Sequence, residues 1–87
     1  RDWEVTGLLA EVKDNGEAVF TLKNRFYPGD TLELIQPGKE PYVFTVDQVT
    51  DDEGNALEVV HHPEMRFHLK FPFTVEPFAI LRHERKN

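Results

Sequence analysis

The chain has no cysteine and no serine, and only one methionine and one tryptophan. Without cysteine there is no disulfide, thiolate nucleophile, iron–sulfur ligand or zinc–thiolate site. Without serine the aliphatic hydroxyls reduce to Thr6, Thr21, Thr31, Thr45, Thr50 and Thr74. Threonine nucleophiles normally depend on their own N-terminal amine, and this chain begins with Arg1. No long apolar run is present, which excludes a membrane-spanning helix and a signal peptide. The compartment stays open, with the cytoplasm expected. Positive charge is scarce as well. Ten Lys and Arg face sixteen Asp and Glu, a formal net charge of −6, which argues against a uniformly basic nucleic-acid binder because phosphate neutralisation drives such binding.

Turn residues are what the chain has in quantity. "DNG" at 14–16, "PGD" at 28–30, "PGKEP" at 37–41, "DEGN" at 52–55 and "HHP" at 61–63 recur at a spacing of about ten residues, typical of a small all-β sandwich or barrel. Between them side chains alternate with the period of a strand. Ala18, Phe20 and Leu22 share one face against Glu17, Thr21 and Lys23; Leu32 and Leu34 oppose Thr31 and Glu33; Tyr42, Phe44 and Val46 oppose Thr45 and Asp47. The pattern predicts an all-β fold, a small closed or partly open antiparallel β-barrel. Asp14-Asn15-Gly16 predicts a tight primed turn joining a strand near 3–12 to one near 17–23. Gly7, inside the first of these, marks a bulge, a close approach or, in so small a barrel, a corner. In "NRFYPGDTLEL" (24–34) Pro28 and Gly29 suit the second and third positions of a turn, and Asp30 suits a bond to local backbone. Phe26 and Tyr27 are then expected at a lid or rim.

One domain is expected over 1–87, with the barrel core over 4–82 and a charged tail over 83–87. The start at Arg1 and the closing "RHERKN" read as a piece cut from a longer protein. Charge is unevenly placed along the chain. Residues 40–64 contain seven acidic groups and no Lys or Arg, whereas 66–87 contain five basic groups and two acidic ones, so a polarised molecule is expected.

Few motifs promise chemistry. Aligning Gly54 of "TDDEGN" with the glycine of an EF-hand puts Val49 and Val60 at the end positions, where carboxylates are needed, so an acidic hairpin is the better reading. His61 and His62 would point to opposite faces of an extended strand and could not share one ion, and His68 and His83 fit no ligand spacing. No metal and no cofactor is expected, and Asp51, Asp52 and Glu53 lack the buried setting of an acid–base pair. In "MRFHLKF" (65–71), Met65, Phe67, Leu69 and Phe71 belong to the core, while Arg66, His68 and Lys70 line up on the outer face. Any half-exposed strand shows such alternation. With Arg25, Arg82 and Arg85 it also makes a candidate phosphate-tracking stripe, with Tyr27 for stacking. The candidate binding residues are Arg25, Phe26, Tyr27, Arg66, His68, Lys70 and Arg82.

The ordered set "NRFYPGDTLELIQPG", "FTVDQVTDDEGN", "HHP" and "FPFTVEPFAILR" resembles the C-terminal domain of the collagenase-like peptidase family, peptidase family U32, over about 4–82. The resemblance implies a β-barrel appended to a large catalytic barrel and similar to the second-domain barrels of translation elongation factors, in which a Gly-Asp also leads into a strand. The family name implies proteolysis, while some relatives are implicated in hydroxylating tRNA or ribosomal RNA; cluster-binding cysteines of such relatives belong to the catalytic region. Asn24, Arg25, Phe26, Gly29, Asp30, Pro37, Gly38, Gly54, His62, Pro63 and Arg82 carry over as a fold signature. The expected role is a non-catalytic accessory barrel for substrate recognition or as a lid on the catalytic barrel, with an RNA-binding accessory barrel as the alternative and a purely structural domain as the second. The implied partners are the catalytic domain of the same chain, then a protein or peptide substrate, or else tRNA or rRNA, and no membrane. Phe78 and Ala79 stand where a Gly-Asp turn would be unsurprising, so the last strand is expected to start differently.

Overall fold

The computed structural model describes residues 2–85. The turns predicted from the sequence separate six strands: β1 (Asp2–Val12), β2 (Ala18–Leu22), β3 (Thr31–Ile35), β4 (Tyr42–Thr45), β5 (Arg66–Leu69) and β6 (Ile80–Arg85). They form one sheet in the order β4-β3-β6-β1-β2-β5, and every pairing is antiparallel. There is no helix among the described residues. The sheet curls around its apolar side into a half-barrel whose two edge strands, β4 and β5, are not hydrogen-bonded to each other. Of the closed and partly open alternatives, this is the partly open one. Among the described residues, β6 is the only strand that joins β3–β4 to β1–β2–β5 by ladders.

The alternating residues fill the interior as expected. Phe20, Leu22, Leu32, Leu34, Phe67 and Leu81 are at most 1% exposed, and the Phe20 and Phe67 rings stack at 5.7 Å. Burying a side chain of this size stabilises by about 1.5–3 kcal/mol relative to leaving it in water. Across the open seam Tyr42 and Phe44 of β4 meet Phe71 and Phe73, with edge-on contacts at 4.9 Å (Tyr42–Phe73) and 5.0 Å (Phe44–Phe71). Aromatic packing thus takes the place of a sixth ladder.

Two local expectations change in detail. The β1–β2 turn has Gly16 at φ +90°, with its N–H bonded to the Lys13 carbonyl at 2.9 Å. Asn15 is not at positive φ, so this is an ordinary turn closed by a left-handed glycine, not a primed one. Gly7 lies at a bulge, because the β1–β6 register steps from Val5↔Arg82 to Gly7↔Leu81. A Cβ there would meet Phe67 Cζ at 3.0 Å and Phe20 Cβ at 3.3 Å. The glycine therefore serves a bulge and a close approach, where a barrel corner was expected. Thr6, the extra residue, gives its carbonyl to the Lys23 N–H at 2.7 Å.

The last strand also departs from expectation. β6 runs on through His83, Glu84 and Arg85, paired with Glu4, Trp3 and Asp2, so positions 83–85 are sheet and not tail; 86–87 lie outside the described residues.

Candidate functional site

The 27–30 turn forms as read. Asp30 N–H bonds to the Tyr27 carbonyl at 3.0 Å, Gly29 has φ +97°, and the Asp30 carboxylate accepts the Tyr27 N–H at 2.9 Å. The two aromatics before it separate. Phe26 is fully buried, bridged to Val60 and edge-on to Phe67 at 5.0 Å, so it is a core residue and unavailable as a rim or binding group. Tyr27 stays 46% exposed. Alternation could not separate them, because this segment is a single bridge and not a strand.

The Arg66–His68–Lys70 stripe does not survive as a set of free donors. Thr50 pairs with His68 backbone to backbone, the His68 N–H donating to the Thr50 carbonyl at 2.9 Å, and this folds the acidic loop back over β5. Asp52 then reaches the outer face. Its carboxylate lies 2.7 Å from His68 Nε2, while Glu17 lies 3.3 Å from Nδ1, and the His68 side chain is only 4% exposed. Arg66 is paired with both Glu11 and Asp52. Hydrogen bonding to His68 holds the Glu17 and Asp52 carboxyls below their usual range, against the opposite pull of burial. Glu11 first and Asp52 second raise the already high Arg66 value. Three carboxylates around two basic groups make a clamp, and Lys70 is the only one of the three expected donors left exposed. Of the seven acidic residues in 40–64, only Asp52 and Glu64 are in ion pairs among the described residues, so the acidic half of the polarised sequence stays mostly solvated.

Arg82 is likewise engaged. Its Nε and Nη2 donate to Glu33 Oε1 at 3.1 and 2.9 Å, and the Trp3 ring lies 3.8 Å from its guanidinium carbon. Arg25 alone among the proposed arginines has no ion pair among the described residues. It lines an open groove with Tyr27, Glu4, Glu33, His83 and Arg85; Arg85 is 3.7 Å from Glu4. The structure thus brings Arg25 and Tyr27 together, and sets Arg66, His68 and Lys70 apart from them on the β5 side. His83 joins the groove only because β6 continues past Arg82, which the charged composition of the end concealed.

The other histidines and acids are occupied locally. The His61 and His62 rings lie 4.4 Å apart, side by side, because the segment there is not an extended strand. Asp51 Oδ1 accepts the N–H groups of Glu53 and Asn55 at 3.0 and 2.9 Å, so that carboxylate shapes the hairpin.

Phe71 and Phe73 are half-buried against the core, whereas Trp3, Val5, Leu8, Val43 and Phe78 are exposed.

A curled six-stranded half-barrel with an aromatic seam defines a small all-β domain. Over residues 1–82 the chain matches the Peptidase family U32 C-terminal domain, and it belongs to that family. It is similar to the crystal structure of the C-terminal domain of a putative U32 peptidase of Geobacillus thermoleovorans, 28% identical with a TM-score of 0.82, covering 94% of this chain and 93% of that one. The selenomethionine variant of the same domain gives 0.81 at 28% identity, over 91% and 98%. A curated relative, the tRNA hydroxylation protein P1 of Bacillus subtilis (strain 168), is 27% identical over 82 residues; the match takes in 92% of this chain and 19% of that protein. The chain therefore spans about a fifth of the length of that relative.

Proposed function

We propose that this domain is a non-catalytic accessory module of a longer family enzyme and that its groove at Arg25 and Tyr27 receives an RNA substrate of the tRNA class. The observation that carries this reading is the unpaired Arg25 beside a half-exposed aromatic ring, a combination suited to a phosphate and a stacked base. The likeness to the Bacillus subtilis tRNA hydroxylation protein supports the substrate class. Titrating labelled tRNA with the chain and following fluorescence anisotropy tests it. Saturable binding that weakens with salt is expected. Arg25→Glu should lower affinity about tenfold at low salt and reduce the salt slope by about one. Arg66→Gln should leave it unchanged, because that guanidinium is already paired. Absence of binding at low salt, or wild-type binding by Arg25→Glu, sinks this reading.

A second reading follows from the seam. Between β4 and β5, which are not hydrogen-bonded to each other, lies a cleft lined by Tyr42, Phe44, Leu69 and Phe71, where an extended peptide substrate would add as a strand to the free edge of β4. A labelled unfolded or collagen-like peptide in the same titration distinguishes the two, since only this reading predicts its capture.

A further inference from the structure

Phe78 is the least economical residue of the chain. It sits at φ +69°, a conformation that bulky L residues rarely adopt, in a turn whose Ala79 N–H bonds to the Glu76 carbonyl at 3.3 Å. Its side chain is 87% exposed, so the fold gains nothing from its packing. Glu64 also has positive φ, at 65°, but its carboxylate holds Lys23 at 2.8 Å, which gives that position a reason within the domain. Phe78 has none within the domain.

Next to Phe78 in the chain, the outer face of the sheet is apolar. Ile35, Ile80 and Leu8 are neighbours in register across β3, β6 and β1. The adjacent row reads Val43, Glu33, Arg82, Val5 across β4, β3, β6 and β1. Its one charged pair, Glu33–Arg82, is self-neutralised and lies under Trp3. An apolar area with Trp and Arg at its centre and little net charge has the composition of an interface core, and contiguous apolar surface of this kind marks a contact site.

We infer that this face, with Phe78 as its anchor at the rim, docks against the remainder of the polypeptide that carries the domain. The inference rests on the reading of the chain as part of a longer protein, and not on RNA binding. The matched segment is 19% of the Bacillus subtilis relative, and the family is defined as a C-terminal domain, so a much larger body precedes such a segment. β1 opens with Trp3 and Val5 on this same face, so polypeptide arriving at β1 comes in beside it.

Side-chain footprinting by carbene labelling and mass spectrometry, without RNA, tests the inference on the full-length gene product and on the 87-residue chain. The short chain is labelled at a concentration where sedimentation shows a monomer. Phe78, Val43 and Trp3 are expected to label several-fold less in the full-length protein than in the short chain. Equal labelling of Phe78 overturns the inference. So does a gene product no longer than this domain, or a self-associating short chain with Phe78 already protected, which would make a second copy the occupant. Phe78→Gly supplies an independent readout. It should raise the melting temperature of the short chain by relieving the backbone, yet speed proteolytic release of the domain from the full-length protein. A drop in the short chain's melting temperature would mean a merely structural role, and unchanged release would remove the anchor. Val43→Asp, remote from the strained turn, should speed release in the same way, and no change would again count against the face. Failure here leaves the tRNA titration untouched, and failure of that titration leaves these outcomes untouched.

Discussion

At Gly7 a methyl group would sit 3.0 Å from the tip of Phe67, whose ring is held by Phe20 on one side and Phe26 on another. The ring has no direction in which to yield. Gly7→Ala is therefore expected to destabilise the domain by about 1–3 kcal/mol, as overpacking does, read as a lower urea midpoint at unchanged slope. A stability equal to wild type would show that Phe67 can move. Gly29 makes the opposite case. Nothing lies within 4 Å of its missing Cβ, so Gly29→Ala costs only the conformational penalty at φ +97°, about 1 kcal/mol. Local sequence marked both glycines, but it revealed the reason only at Gly29, where the turn is made of adjacent residues. The reason at Gly7 lies on β5, far along the chain. Phe26 escaped for a related cause, since one β-bridge carries no alternation by which its inward direction could be read.

The strand faces were legible in the sequence because period-two alternation is a local property, and β2, β3 and β4 point as their patterns required. What the pattern could not contain was the fold-back of the 50–56 loop. It turned an exposed basic row into the His68 clamp, because the bond between Thr50 and His68 joins segments that have no local relation. Acid should reveal that clamp. The Glu17 and Asp52 carboxyls titrate lower in the folded chain than their usual values, with His68 as the leading cause. Their contribution to stability is present above the ordinary carboxylate range and disappears as the pH falls through the depressed values, below about 4. A melting-temperature series from pH 6 to 2 should fall steeply at its acid end, and His68→Gln should make that fall shallower. An identical acid limb in the variant would show that the clamp contributes nothing. Half of the candidate site was readable in the same sense: Tyr27 and its turn came from adjacent residues, while the freedom of Arg25 depended on which carboxylates the distant strands had already used.

For the molecule as a whole, the pairing of the first strand with the last decides where the domain ends. Cutting the chain after Arg82 removes the partners of Glu4, Trp3 and Asp2. With net values of about 0.5–1.5 kcal/mol per backbone hydrogen bond, partly offset by fraying, the loss is about 1–2 kcal/mol. In a domain of this size that lowers the melting temperature by roughly 5–15 °C. A truncated chain that melts with the intact one would return residues 83–85 to the status of a tail.

The place of β6 has a consequence for synthesis. Of the six strands this one is synthesised last, yet among the described residues it is the strand that joins β3–β4 to β1–β2–β5. Until it emerges, β3–β4 and β1–β2–β5 share no strand ladder, and their facing edges on β1 and β3 are unpaired, the kind of edge on which chains aggregate. A message broken off within the codons of β6 would thus yield the first five strands and no continuous sheet. Translation through β6 is therefore the step that completes the sheet.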